Sequence, residues 1–259
     1  MQSAKKNSAA LDNSRQILYS CNQGIWNLEI NKMPLEILDS HKVAVFDVDG
    51  LLIDSEPAYN EYWQRAGREL GYELTKDMVL ELRSLDASLS QEKFFAWFGD
   101  ADAYLRVRTR RREMMSADDA VIAYPLKTGA KEMVSFARER GLKTAIVTSS
   151  PQQRILAILG RYSFAELFDY IICADKVKRN KPFPDIYLYA AAQLGVEPKE
   201  CIAFEDSPNG LKSAHDAGCC TVMIPDLSPY SEELKTVADY HMESLQAFCD
   251  ACRKELGTI

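Results

Sequence analysis

Five short β-branched runs exclude most architectures for this chain. They are KVAVFD (42–47), KTAIVT (143–148), DYIICA (169–174), CIAFED (201–206) and CTVMIP (220–225). Each is continuously apolar rather than alternating, as expected of strands covered on both faces. Helical patterns at 151–160, 183–194 and 207–217 separate the later runs. Strand–helix–strand alternation predicts an α/β fold, a doubly wound Rossmann-like parallel sheet.

One interval breaks the rhythm. Between Ser55 and Tyr124 there is no strand pattern, only helical ones such as EPAYNEYWQRAGRELG and SQEKFFAWFG. About 65 residues is far more than a simple crossover needs. The expectation is an inserted α-helical cap domain at 57–122, with the α/β core in 41–56 and 123–259. Residues 1–40 read as an N-terminal extension carrying an apolar patch, ILYSCNQGIWNLEI, that docks or frays. The insertion leaves the carboxyl end of the first strand, where open α/β sheets bind ligands. Its hinges are expected near Ser55–Pro57 and Ala123–Pro125.

A net charge of −7 and a pI near 5.2 argue against nucleic acid or anionic membranes as partners. No apolar run reaches the roughly 18 residues of a membrane span, and MQSAKKNSAALDNSRQ has no continuous apolar segment. The expectation is a soluble, cytoplasmic monomer. Seven cysteines are an odd, scattered set, so Cys249 and Cys252, despite C-x-x-C spacing, read as two packed thiols. In LRVRTRRREMM, Arg106, Arg108, Arg110, Arg111 and Arg112 spread around a helix, which reads as a solvated cap face, with substrate or nucleic-acid contact the alternative.

The chemistry collects at the strand ends. HKVAVFDVDGLLIDSE places Asp47 at the end of the first strand and Asp49 two residues on. A crowded carboxylate pair is costly unless a cation or proton compensates it, and aspartate is a competent covalent nucleophile. By itself the stretch also fits an Asx-type turn. The second run ends in AIVTSSPQQ, where Ser150 reads as an N-cap and Pro151 as the first helical residue, leaving Thr148 and Ser149 near free N–H groups that attract anions. Lys181 stands before Pro182 in VKRNKPFPD, on a stiff loop. AFEDSPNG brings Glu205 and Asp206 to another strand end, before a helix capped by Ser207. Clustered carboxylates suit Mg2+, which takes oxygen ligands and shares its shell with substrate phosphate.

Together, FDVDGLLIDSEP, VTSS, KRNKPFPDIY and FEDSPNG resemble the four motifs of the haloacid dehalogenase superfamily, in order and spacing, over roughly 42–245. The likeness is strongest to the β-phosphoglucomutase-like and sugar-phosphate phosphatase branch. It implies Asp47 as nucleophile, Asp49 as general acid and then base, and Thr148 and Ser149 as ligands of the transferring phosphoryl group. Lys181 would bridge that group and Asp47. Asp47, the Asp49 carbonyl, Asp206 and Glu205 would hold Mg2+. The implied activity is hydrolysis of a small phosphorylated metabolite through an aspartyl-phosphate. Tyr59, Arg83, Asp86 and Trp63 of the cap are candidates to line the substrate entrance.

Dehalogenases of this type lack the second aspartate, so Asp49 excludes that chemistry. A phosphomutase remains the alternative, weakened by departures in the cap. Tyr59 stands where related mutases carry a histidine, and LRSLDAS replaces their LKG-x-SR pattern. A non-enzymatic phosphate-binding module would not need the intact Asp47 and Asp49 pair.

Overall fold

The computed structural model describes residues 34–118, 122 and 124–258. The apolar patch at 17–30 and Ala123 lie outside the described residues. A short helix α1 (Pro34–Asp39) leads into strand β1 (Val43–Phe46). Four helices follow before the next strand: α2 (Glu56–Glu69), α3 (Lys76–Glu81), α4 (Ala87–Phe98) and α5 (Asp102–Ala117). The chain then runs α6 (Ala130–Glu139), β2 (Lys143–Thr148), α7 (Gln152–Gly160), β3 (Tyr170–Cys173), α8 (Asp185–Leu194), β4 (Cys201–Glu205), α9 (Pro208–Ala217), β5 (Cys220–Met223), β6 (Tyr240–His241) and α10 (Leu245–Glu255).

The sheet is parallel throughout in the order β3-β2-β1-β4-β5-β6. The five expected strands are present, β2 with the expected bounds and the other four trimmed at their ends, and β1 and β4 are buried along their whole length. The strand pair β1–β4 aligns Phe46 with Phe204, whose rings stack 4.9 Å apart. That register carries the next residues, Asp47 and Glu205, to the same edge. The sixth strand is an addition: two half-buried residues at the sheet edge give no apolar run to read.

The strandless interval is helical, as its pattern predicts. Helices α2, α4 and α5 pack on an aromatic cluster in which Trp63 lies 5.9 Å from Tyr104 and Phe94 lies 5.5 Å from Tyr104. Cys249 and Cys252 are free, buried thiols in α10, packed as expected. Among the described residues, no helix is long and apolar enough to cross a membrane.

One predicted cap is corrected. Helix α7 starts at Gln152 with Pro151, not Ser150, at its N-cap. Ser150 is diverted: its hydroxyl donates to Asp49 Oδ2 at 2.6 Å and accepts from Arg154 at 3.0 Å. In α9 the expected cap stands, the Ser207 hydroxyl accepting from the Gly210 N–H at 3.1 Å.

Candidate active site

Asp47 is the first residue beyond β1, held to the sheet by its own N–H, which donates to the Phe204 carbonyl at 3.1 Å. Its side chain is 1% exposed. Burying a carboxylate there requires a counter-charge, and Lys181 supplies it. The fully buried Lys181 ammonium donates to Asp47 Oδ1 at 2.8 Å, to Glu205 Oε1 at 2.6 Å and to the Val147 carbonyl at 3.0 Å. Those three acceptors use all three ammonium protons.

Asp47, Glu205 and Asp206 bring one carboxylate oxygen each within 4.8 Å of one another. Burial pushes Asp47 above the ordinary carboxylate range, against the pull of Lys181. Burial likewise lifts Glu205 to about 7 and Asp206 well above its usual range. Asp47 Oδ2, Glu205 Oε2 and Asp206 Oδ1 are buried with no hydrogen-bond partner among the described residues. Three buried carboxylates that bring one oxygen each to a common small volume, and each leave one oxygen unpartnered, fit a hard divalent cation.

Two glycines make this crowding possible. Gly50 takes φ +89°, and a Cβ there would overlap the Asp206 carboxylate; one on Gly210 would overlap that of Glu205. Either side chain would displace a member of the acidic cluster.

Asp49 sits in a different electrostatic setting. Arg154 grips it from both guanidinium ends, each at 3.0 Å, and Ser55 and Ser150 donate to it at 2.7 and 2.6 Å. Burial works to raise its pKa, but the guanidinium and the two hydroxyls outweigh it and hold the carboxyl below the usual range. Two carboxylates two residues apart are thus driven in opposite directions by their surroundings.

Thr148 and Ser149 line a cavity of about 520 Å³ whose walls also include Asp47, Asp49, Tyr59 and Trp63. The Ser149 hydroxyl is buried with no hydrogen-bond partner among the described residues. Tyr59 stands 3.5 Å from the Ser150 hydroxyl.

A family profile of haloacid dehalogenase-like hydrolases matches residues 41–218. The chain belongs to this family. Among relatives, hexitol phosphatase B of Escherichia coli is 29% identical over 206 residues, covering 78% of this chain and 91% of that protein. Hexitol phosphatase A of the same organism is 33% identical over 187 residues, covering 71% and 82%. In fold, β-phosphoglucomutase from Clostridium difficile superposes with a TM-score of 0.68 at 18% identity, over 84% of this chain and 99% of that one.

Within this haloacid dehalogenase-like hydrolase, the core positions expected from sequence meet at one edge of the sheet; Asp47, Asp49, Thr148 and Ser149 line the cavity with Tyr59 and Trp63, while Lys181, Glu205 and Asp206 lie behind Asp47. Arg83 lines the same cavity, but its guanidinium is engaged: it contacts Asp206, lies 3.2 Å from Glu56 and donates to Ser228 at 3.2 Å. Asp86 does not line the cavity. It caps α4 by accepting from the Ser88 N–H at 2.9 Å and holds the Asn180 N–H at 2.8 Å, next to Lys181.

Two arginines escaped the sequence reading. Arg154 lies in the first turn of α7, and its guanidinium reaches back to both Ser150 and Asp49. Arg111 was assigned with its neighbours to a solvated face. That holds for Arg106 and Arg110, which pair with Asp100 and Glu69 at 2.6 Å on the surface, and fails for Arg111, which is 9% exposed. The missed signal was a subset: Tyr104, Arg108, Arg111 and Met115 recur at helical spacing and all face the cavity.

Removing Arg154 has a definite sign. Its charge keeps the Asp49 pKa low, so Arg154→Gln should raise it. If Asp49 must be protonated to release an alcohol, the descending limb of the pH–kcat profile for an alkyl phosphate should move to higher pH. With p-nitrophenyl phosphate, whose leaving group needs no proton, that limb should stay put. Equal profiles for wild type and variant with the alkyl ester would remove Asp49 from that role.

Proposed function

We propose that this chain is a phosphoric monoester hydrolase that removes phosphate from a small phosphorylated sugar or sugar alcohol, with Asp47 as the covalent nucleophile and Mg2+ as its metal. The observation that carries this reading is the state of Asp47. One carboxylate oxygen is fixed by Lys181, the other is buried with no hydrogen-bond partner among the described residues, and Asp47 lines the cavity. Family membership and the hexitol phosphatase relatives support the same reading.

This reading assigns each residue a role. Asp47 attacks phosphorus through a carboxylate oxygen as the bond to the leaving alcohol breaks, and Asp49, once protonated, gives its proton to the departing alkoxide. Thr148, Ser149 and the Lys181 ammonium bind and neutralise the phosphoryl oxygens in transit. A water then attacks the aspartyl-phosphate, Asp49 takes its proton, and inorganic phosphate leaves with Asp47 restored. Asp47, Asp206 and Glu205, with the Asp49 carbonyl, would hold Mg2+, which supplies charge neutralisation on the phosphoryl oxygens. Helices α2–α5 act as a cap that closes over the cavity, with Tyr59 and Trp63 contacting the substrate and Arg83 reaching from the cap to Asp206 as a latch.

The test is a panel of hexose and hexitol phosphates, assayed with Mg2+ and with excess chelator, following inorganic phosphate and isomerised sugar phosphate together. Stoichiometric phosphate release, abolished by chelator and restored by Mg2+, is expected. Full turnover in chelator would remove the metal from the reading. Efficient isomerisation with little phosphate released would replace hydrolysis by phosphoryl transfer between sugar positions.

A further inference from the structure

We propose that the cavity holds a second anion site, formed by Arg111 with Arg108 and Arg112 of α5, which selects substrates carrying a second anionic group far from the scissile phosphate. This rests on the reading of the chain as a phosphatase of small monoesters and names the class of substrate.

Arg111 is the anomaly. It is 9% exposed, its Nε has no hydrogen-bond partner among the described residues, and no described carboxylate lies within ion-pair distance. Its charged neighbours are Arg108 and Arg112, both cations that oppose it. Burial pulls its pKa down to about 10, which still leaves it charged at neutral pH. Two ring faces cover it, Trp63 at 4.5 Å and Tyr59 at 4.7 Å from the guanidinium carbon. Aromatic faces offset part of the desolvation but accept none of the guanidinium's in-plane hydrogen bonds well.

The other arginines of the cavity show the contrast. Arg83 and Arg154 are matched to carboxylates. Arg108, half-buried, and Arg112, at the rim, line the cavity and have no described carboxylate at ion-pair distance. Three guanidiniums that repel one another are therefore gathered around one wall with no described carboxylate at ion-pair distance, the Asp86 carboxylate acting on Arg108 only from farther off. An arrangement of that kind is stabilised when an anion enters, and a planar guanidinium fork matches phosphate or carboxylate oxygens.

The position fixes which anion. Tyr59 is shared: its ring centroid lies 4.9 Å from the Arg154 guanidinium that grips Asp49, and 4.7 Å from that of Arg111. A single phenol ring thus links the reacting end of the cavity to the unpaired cations, a separation that a sugar-sized skeleton spans. With phosphorus at Asp47, a carboxylate or second phosphate at the other end of the same molecule reaches Arg111.

Three substrates test this: sorbitol 6-phosphate, 6-phosphogluconate, which ends the same linear skeleton in a carboxylate, and fructose 1,6-bisphosphate. At least one doubly anionic substrate should exceed sorbitol 6-phosphate in kcat/KM by about tenfold or more, chiefly through KM. In Arg111→Met that preference should fall to within about threefold, and Arg108→Met, at a half-exposed position, should reduce it in a variant whose folding is not at risk. The acid and the bisphosphate distinguish which anion the site takes. Equal kcat/KM for all three in the wild type, or a preference that survives both substitutions, overturns the proposal. If neither these esters nor p-nitrophenyl phosphate is hydrolysed, the phosphatase reading fails. Calorimetric titration of the same protein then decides this site alone: equal affinity for sorbitol 6-phosphate and both doubly anionic compounds overturns it.

Discussion

Asp47→Asn should lower kcat by about 10⁴-fold or more and leave the protein folded. The substitution is isosteric, and the amide oxygen can still accept from Lys181, which sits 2.8 Å from the present carboxylate. What disappears is the nucleophile, because a neutral amide oxygen does not attack phosphorus at a useful rate. Stability should hold or rise, since one of three crowded carboxylates loses its charge. This separates a chemical from a structural effect. A structural role predicts a lower denaturation midpoint with proportionate loss of activity, whereas a nucleophile predicts an unchanged or higher midpoint with activity gone. Steady-state turnover of any accepted monoester, read beside a urea unfolding curve, makes the comparison. Turnover within tenfold of wild type would end the covalent mechanism.

How much of this was legible before the structure depends on the range of each interaction. The strands were readable because double-sided burial demands continuous apolar runs, and the helical insertion because no such run occurs between β1 and β2. Asp47, Thr148, Lys181, Glu205 and Asp206 were readable because each follows a run, and parallel strands deliver their carboxyl ends to one edge. The pairing of arginines with those carboxylates was not. Arg83 meets Asp206 across 123 residues of sequence, and Arg154 meets Asp49 across 105. No local pattern specifies which guanidinium reaches which carboxylate; the packing of the cap helices and α7 decides it. Ser150 shows the same competition at short range. Its type and position suit an N-cap, but an adjacent carboxylate with an arginine beside it is the stronger partner. Arg111 was lost differently. Treating five arginines as one set averaged their directions around the helix, whereas the periodicity of Tyr104, Arg108, Arg111 and Met115 separates the inner face from the outer.

Lys181→Met should inactivate the enzyme by about 10³-fold and also destabilise it, in a way that depends on pH. Methionine fills the space but leaves Asp47 Oδ1, Glu205 Oε1 and the Val147 carbonyl without the ammonium that now satisfies all three. Breaking a buried ion pair from one side typically costs about 3–5 kcal/mol, because the remaining charge stays buried and unmatched. Here two carboxylates remain. Glu205 keeps its Tyr187 hydroxyl, while Asp47 has no other side-chain partner among the described residues. Both already stand above the ordinary carboxylate range because burial penalises their charge, Glu205 at about 7, with Lys181 pulling each down. Without Lys181 both rise further. An acid whose folded pKa exceeds its unfolded pKa is stabilising while protonated and loses that contribution as pH rises through the folded value. The variant should therefore lie closest to wild type in acid and fall furthest behind above pH about 7, where the cluster must ionise with no ammonium to meet it. Unfolding midpoints measured from about pH 5 to about pH 9 read this directly. A stability deficit that is constant across that range would show that Lys181 serves packing alone. One that widens with pH would show that its charge holds Asp47 ionised, as attack on phosphorus requires.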